Sequence, residues 1–161
     1  EDQSFKKYII NNSGSPNSVY NREKGNVVIE VAYKNDEGIN ENYEFELNYF
    51  PMQRWVGICI VVEDRIVKVF MDGKLHNAKK LNTVPWVSKK MLNIGKNKEN
   101  FNGYIGMIDY YSRALNDSEV LSLYNKRIKT LPDEVLTYEQ AEYVRKKNVE
   151  RKNKLKKIKK I

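Results

Sequence analysis

The strict alternation of side chains from Tyr43 to Tyr49 is the feature that most restricts the fold of this chain. Aromatic or aliphatic residues occupy the odd positions of the segment, and Glu or Asn occupies the even ones. A side-chain period of two places the two sets on opposite faces of a β-strand. The pattern therefore predicts a strand with one face in an apolar core and the other face in water.

Three further segments predict strands around this one. Asn26–Tyr33 is rich in β-branched residues, and Trp55–Val62 is apolar on both faces, which favours a strand buried between two layers. Ile66–Met71 is followed by Asp72-Gly73, a pair that readily adopts the positive φ angles of a type I′ turn. Lys74–Leu81 is therefore predicted to return antiparallel to the preceding strand.

Shorter signals complete the predicted fold. Met91–Ile94 and Tyr104–Tyr111 are predicted to be short strands, each beside a glycine, and short strands separated by turn residues indicate an antiparallel sandwich. The segment Asn116-Asp-Ser-Glu119 then supplies an N-cap residue and an acidic residue three positions later, ahead of apolar residues at helical spacing. This predicts a short helix packed on the sandwich.

The net charge of +8 belongs to the C-terminal part of the chain. Residues 1–125 contain 16 basic and 16 acidic residues, whereas residues 126–161 contain 13 basic and 5 acidic ones. We therefore predict a neutral sandwich domain over 1–125 and a basic helical extension over 126–161. A capping box at Thr137–Gln140, followed by residues with no Gly or Pro, predicts that the extension is a long helix.

The basic side chains of the extension form a predicted partner-binding surface. They are Arg145, Lys146, Lys147, Arg151, Lys152, Lys154, Lys156, Lys157, Lys159 and Lys160. Four interpretations remain open: a solvated helix, docking on a neighbouring protein, binding of nucleic acid, and contact with an anionic membrane surface. Nucleic acid is disfavoured because no aromatic residues alternate with the lysines to stack on bases. A membrane is disfavoured because the apolar face of the segment is narrow.

The composition excludes several functions. A single Cys rules out an internal disulfide framework, and a single His rules out a multi-histidine metal site. Glycoside hydrolases of β-sandwich type need paired carboxylates, and the nearest run here is Glu44-Phe-Glu46, which lacks the additional acids. Alternating Glu residues on a strand are typical of a solvated face, so we predict that the protein is not an enzyme.

Trp55–Tyr124 resembles the laminin-G-like, concanavalin A-like jelly-roll family. The resemblance rests on a Trp that opens a buried strand, on the run Val67–Leu75 ending in Asp-Gly-Lys-Leu, on Phe101–Asp109, and on Ala114-Leu115 ahead of the helix. It implies an antiparallel concanavalin A-like jelly-roll sandwich, followed here by a short helix and a long basic C-terminal helix. The local sequence Phe-Pro-Met-Gln-Arg ahead of the Trp is similar to the sequence in versions of the family found in giant DNA viruses.

The chain departs from this family at its beginning. Family members usually have further strands before the segment that corresponds to Lys7–Ile10, whereas only about 25 residues precede Val27 here. A sheet without those strands would have a bare edge, which proteins normally avoid. We therefore expect that part of the sandwich lies upstream in a longer protein or that a partner covers the edge.

The resemblance and the missing catalytic groups predict a non-catalytic binding or structural module. Its partners would be other proteins of a larger assembly, such as the capsid of a giant virus, in which it would be a minor, capsid-associated component. The expected location is a virion or another multiprotein assembly, with an extracellular location as the alternative. No cofactor is expected for this role.

A lectin-like, carbohydrate-binding domain is the alternative function. Trp86 is the candidate that would stack on a sugar, because it follows Val84-Pro85 in a predicted loop. Ca²⁺ would assist such binding, and Asp72 and Asp109 are the candidate ligands. Both have a structural explanation as well, since Asp72 belongs to the predicted turn and Asp109 lies near the start of the helix.

Overall fold

A computed structural model of the chain describes residues 6–11, 16–21, 24–51, 54–86, 92–95, 103–131 and 146. The chain divides into two compact units, Glu1–Leu131 and Pro132–Ile161. All described residues except Lys146 belong to the first unit. Lys146 is helical and exposed, and the other residues of the predicted basic tail lie outside the described ranges.

The described residues form a mainly antiparallel β fold, which confirms the predicted fold class. In chain order the strands are β1 (Lys6–Asn11), β2 (Asn17–Asn21), β3 (Asn26–Lys34), β4 (Asn40–Leu47), β5 (Ile58–Glu63), β6 (Ile66–Met71), β7 (Lys74–Lys80) and β8 (Asn93–Ile94). Within this part of the chain, one sheet has five strands in the order β4-β3-β2-β1-β8, and the other has three in the order β5-β6-β7. Neighbouring strands pair antiparallel throughout.

The main core lies between the two sheets. It is built from alternate residues of β3, β4 and β6 together with Leu81, and the side chains are Val27, Ile29, Val31, Phe45, Leu47, Val67, Val69 and Leu81. The alternation predicted for β4 is confirmed where Phe45 and Leu47 are buried and Glu44 and Glu46 are exposed. The ring of Tyr43 packs edge-on against Phe45, with the ring centroids 4.8 Å apart.

The strand predicted over Tyr43–Tyr49 extends two residues beyond the observed C-terminal end of β4, which is Leu47. Tyr49 was expected to share the buried face, but it adopts a left-handed conformation with φ of 58° and its side chain is 97% exposed. A positive φ turns the backbone out of the sheet, so the alternation of side chains stops after Leu47. The sequence pattern continues past the point where the backbone leaves the sheet.

A helix covers the outer face of the three-stranded sheet, as predicted. α1 spans Asp117–Ile128 and has Asn116 as its N-cap. The Asn116 side chain accepts the backbone N–H of Glu119 at 2.9 Å, and the Glu119 carboxylate accepts the backbone N–H of Asn116 at 2.9 Å. Such a reciprocal pair satisfies two backbone donors at the start of the helix. Val120 of α1 and Leu115 pack on Val61 and Phe70 of the sheet.

Two glycines let α1 approach the end of this sheet closely. Asp72 and Gly73 have φ of 52° and 76°, which confirms positive φ at both central residues of the predicted hairpin turn. A Cβ atom added at Gly73 would lie 3.0 Å from Tyr124 Cβ, and one at Gly57 would lie 2.9 Å from Tyr124 Cδ2. The Tyr124 side chain therefore needs glycine at both positions.

The first 21 residues contribute β1 and β2, two strands that the sequence patterns did not predict. β2 pairs with β3 so that Val19 lies opposite Val28, and β1 pairs with both β2 and the short β8. Strands of five or six residues with mixed polar and apolar content give only a weak periodic signal. That a further part of the sandwich lies upstream stays a prediction.

The predicted strand over Tyr104–Tyr111 is wrong, because these eight described residues have no strand structure. Gly103 and Gly106 weaken strand formation at the start of the segment. The backbone of Gly106 lies against the Trp55 ring and the Leu131 side chain, where an added Cβ would come within 3.4 Å of Trp55 Cζ3. Contacts with side chains therefore hold this segment in place.

Candidate binding surfaces

The residues Tyr104–Tyr111, here called the apolar ribbon, expose five large aromatic and aliphatic side chains within eight residues. Tyr110 is 90% exposed, and the four other exposed members, Tyr104, Met107, Ile108 and Tyr111, are at least 40% exposed. Isolated surface hydrophobic residues need no explanation, but several in one short segment indicate an interaction surface. The sequence contained a signal for it, since the adjacent tyrosines Tyr110 and Tyr111 could not both face a core from one strand.

The ribbon is tied to the C-terminal end of α1 by side-chain contacts. The Arg127 guanidinium donates to the Asp109 carboxylate, with an Nη2–Oδ2 distance of 3.0 Å, and to Met107 Sδ at 3.4 Å. Just beyond the ribbon, Arg113 pairs with Glu119 at 2.6 Å. Asp109 of the ribbon and Glu119 just beyond it are therefore each paired with an arginine.

The Arg113–Glu119 pair also reinforces the N-terminus of α1. The hydrogen bond from Arg113, together with the backbone N–H of Asn116, lowers the pKa of Glu119 to about 2. The charged carboxylate is thus the form that the folded state favours. Its position in the first turn of α1 is also where the helix dipole favours a negative charge.

We expect the stability of the domain to fall between about pH 4.5 and pH 2 as Glu119 becomes protonated. Because its folded-state pKa lies below the usual value of 4.5, the stabilising contribution is complete above that pH and is lost as the pH falls through the folded-state value. The measurement is the melting temperature from pH 2 to pH 6 for the wild type and for Glu119→Gln, which cannot titrate. If the difference in melting temperature between the two proteins stayed constant from pH 4.5 to pH 2, the lowered pKa of Glu119 would be contradicted.

Trp86 lies on a second exposed surface, at the rim where β3 ends. Its backbone N–H donates to the Ala32 carbonyl at 2.8 Å, and the Thr83 hydroxyl donates to the Lys34 carbonyl at 2.6 Å. These bonds hold residues 83–86 beside β3, and the Trp86 side chain is 52% exposed. The neighbouring Val84 is also exposed, and the Asn82 amide donates to the Asp36 carboxylate at 3.2 Å. The rim thus exposes the Trp86 indole and the Val84 side chain, and a hydrogen-bonded Asn82–Asp36 pair lies further along the same segment.

The two aspartates considered as Ca²⁺ ligands are both engaged in ion pairs. Asp72 accepts the backbone N–H of Gly57 at 3.0 Å and pairs with Arg54 at 2.6 Å, which fixes the β6–β7 turn against the start of β5. Asp109 is held by Arg127 rather than by a backbone group. Among the described residues, no group of three or more His, Cys, Asp or Glu side chains is arranged to hold a metal ion.

Other titratable groups have structural surroundings. Glu44 and Glu46 are exposed on β4, as expected for a solvated face, and Glu46 lies 3.6 Å from Lys24. Cys59 is half-buried against the cluster of Val61, Phe70, Leu115 and Val120, and burial raises the pKa of its thiol, so the reactive thiolate is disfavoured. In the part of the chain that the structure describes, no helix is long and apolar enough to span a membrane.

The fold is a β-sandwich of two antiparallel sheets with a helix on one face. Residues 1–121 match the laminin G family model described as the concanavalin A-like lectin/glucanases superfamily, and the chain belongs to that family. Domains of this family are generally non-catalytic modules and often bind proteins or carbohydrates.

A solved structure matches part of this chain, and no curated protein is significantly similar in sequence. The structure is residues 221–444 of an S-layer domain-containing protein from Clostridium thermocellum. It is 14% identical over 77% of this chain, with a TM-score of 0.43, and this chain spans 59% of its length.

Proposed function

We propose that the protein is a non-catalytic binding module that makes protein–protein contacts within a larger assembly. The observation that carries the proposal is the apolar ribbon, in which five large side chains from eight consecutive residues are exposed. Burying them against another protein removes apolar surface from water, which is the main favourable term in protein association. The sandwich behind the ribbon serves as a rigid platform.

The chemistry of the ribbon favours a protein partner. Tyr and Met are enriched in protein interfaces, where they provide large contact areas. The two arginines described beside the ribbon are already paired, Arg127 with Asp109 and Arg113 with Glu119, so these two groups offer no excess positive charge for phosphates. A nucleic acid or an anionic membrane would require such an excess.

The assembly we propose is a virion of a giant virus, in which the protein is a minor capsid-associated component. The sequence resemblance to giant-virus versions of the family supports this choice. The basic residues of the extension, Arg145 to Lys160, would add a second contact with a neighbouring protein. Nucleic acid and anionic membranes are the disfavoured partners of the extension, and an extracellular location is the alternative to the virion.

Site-specific photo-crosslinking in the native assembly tests the proposal. A photoreactive phenylalanine analogue in place of Tyr110 is expected to form a discrete adduct with another protein. The same analogue in place of Tyr49, a control of similar exposure outside the ribbon, should form little adduct. Equal adduct formation at both positions, or none at Tyr110, would contradict the proposed role of the ribbon.

Carbohydrate binding at the Trp86 rim is the second candidate function, favoured by the half-exposed Trp86 indole. A glycan array with the wild type and with Trp86→Ala separates the two functions, because Trp86 lies outside the ribbon. Saturable sugar binding that Trp86→Ala abolishes would favour the lectin-like function, and loss of binding with a chelator would implicate Ca²⁺. Absence of sugar binding together with adducts at position 110 would favour the assembly role.

A further inference from the structure

Two strand edges lie above one another on one side of the sandwich. In the described structure, β4 is the last strand of the five-stranded sheet, and β7 is the last strand of the three-stranded sheet. The Lys79 Nζ atom of β7 lies 5.3 Å from the centroid of the Tyr43 ring of β4, so the two edges are neighbours across the core. Each edge strand has backbone groups available to pair with another chain.

The two edges have opposite charges. β7, Lys74–Lys80, contains three lysines and no acidic residue, and all seven of its residues are exposed. β4, Asn40–Leu47, contains Glu41, Glu44 and Glu46, all exposed, and no basic residue. Glu41 accepts a hydrogen bond from the Tyr33 hydroxyl at 2.7 Å, and Glu46 lies 3.6 Å from Lys24, but neither contact covers the edge.

The two strands run in opposite directions within the domain. The residues after β7 are tied to the residues just before β4, since Asn82 donates to Asp36 and Thr83 donates to Lys34. The C-terminal end of β7 therefore lies at the N-terminal end of β4. The opposite directions of β7 and β4 determine how a second copy can pair with the side of the sandwich that these two strands form.

Two arrangements with two-fold symmetry bring this side of one copy against the same side of another. An axis perpendicular to the sheets would place β7 against β7 and β4 against β4, so that lysines face lysines and glutamates face glutamates. An axis parallel to the strands places β7 of each copy against β4 of the other. Because such an axis preserves strand direction, and β7 and β4 run oppositely, the facing strands are then antiparallel.

We propose that a second copy of this chain pairs with this side through the axis parallel to the strands, joining β7 of each copy to β4 of the other. Each resulting continuous sheet contains five strands from one copy and three from the other. The interface is isologous, the usual geometry of soluble dimers. Its charge complementarity also rejects the alternative two-fold arrangement, because like charges placed directly opposite across strands are destabilising.

Charged edge strands usually prevent sheets from associating. Such charges prevent pairing with an apolar edge or with an edge of the same charge. In this chain the basic edge β7 and the acidic edge β4 lie on the same side, so the charges do not prevent pairing between two copies of the chain. The inference does not rest on the proposed function, because the ribbon contacts Trp55 and Gly95, beside β5 and β8 at the opposite edges.

Analytical ultracentrifugation of the full chain tests this proposal. We expect the wild type to dimerise at low ionic strength and the dissociation constant to rise with salt, as exposed charge pairs are screened. Two charge-reversed variants test the edges, Lys74→Glu/Lys80→Glu on β7 and Glu44→Lys/Glu46→Lys on β4. Each alone should raise the dissociation constant by at least about tenfold, because like charges then face each other. Lys126→Glu/Lys129→Glu, at the end of α1, is the matched control and should dimerise as the wild type does.

Mixing the two charge-reversed variants gives the decisive result. One variant then has two acidic edges and the other has two basic edges, so an equimolar mixture should form a heterodimer although neither protein forms a homodimer. Circular dichroism shows that both variants remain folded. Any one of three results would overturn the proposal. The wild type could stay monomeric at low salt, or the charge-reversed variants could dimerise like the wild type. The third such result is a mixture of folded variants that stays monomeric.

Discussion

Replacing Phe45 with Ala is expected to lower the free energy of unfolding by about 3–5 kcal/mol. Phe45 is fully buried between the two sheets, and its ring is held edge-on by Tyr43. Removing the ring loses the transfer free energy of the side chain and leaves a cavity in a region where both sheets contribute contacts. Since whole domains are stable by about 5–15 kcal/mol, the variant is expected to be partly unfolded at moderate temperature.

Urea denaturation monitored by circular dichroism measures this change, with Glu44→Ala as the control. Glu44 is the neighbour of Phe45 on the same strand, but its side chain points to solvent, so its replacement should change stability by less than about 0.5 kcal/mol. The two variants therefore separate the core face of β4 from its outer face. A similar loss in both, or a loss below about 1 kcal/mol for Phe45→Ala, would contradict the described core.

The elements that could be predicted from sequence are those determined by neighbouring residues. The alternation along β4 follows from the period of a strand, and the turn at Asp72-Gly73 follows from the two positive φ angles that it requires. The start of α1 directly after its N-cap, Asn116, follows from a capping box four residues long. In each case the physical cause lies within a few residues, so one sequence is sufficient.

The elements that could not be predicted depend on residues far apart in the chain. Tyr49 leaves its strand although its side chain continues the alternation, because the backbone turns at that position. The ribbon has the composition of a strand, but its place is determined by Trp55 and Arg127, which are distant in sequence. No local pattern contains such information.

The same distinction applies to the candidate sites. Trp86 was identified from its loop context, and the structure places its side chain half in solvent. The sequence presents Asp72 and Asp109 as candidate metal ligands, but each is paired with an arginine 18 residues away in sequence. The opposite charges of β4 and β7 are a property of the sheet order, which places both strands at an edge.

Replacing three glycines by alanine is expected to separate the cost of backbone strain from the cost of steric overlap under α1. Gly38 has φ of 77° and open space around it, so Gly38→Ala should cost only the left-handed conformation, about 1–2 kcal/mol. Gly57 has no positive φ, but its added Cβ would lie 2.9 Å from Tyr124 Cδ2. Gly57→Ala should therefore cost about 1–3 kcal/mol through overpacking. Gly73→Ala combines both effects and should be the most destabilising of the three.

A second substitution at Tyr124 makes this comparison decisive. The closest atoms that a methyl group at position 57 would meet belong to the Tyr124 ring, so Tyr124→Ala should remove most of the additional cost of Gly57→Ala in a double-mutant cycle. Two of the three atoms nearest to an added Cβ at Gly73, Tyr124 Cβ and Leu121 Cδ1, remain after Tyr124→Ala, and so does the positive φ, so Gly73→Ala should be rescued much less than Gly57→Ala. Urea denaturation of the wild type and of each single and double variant gives the free energies of unfolding for both cycles. Equal rescue at both glycines, or none at Gly57, would show that α1 does not rest on the sheet through the Tyr124 ring.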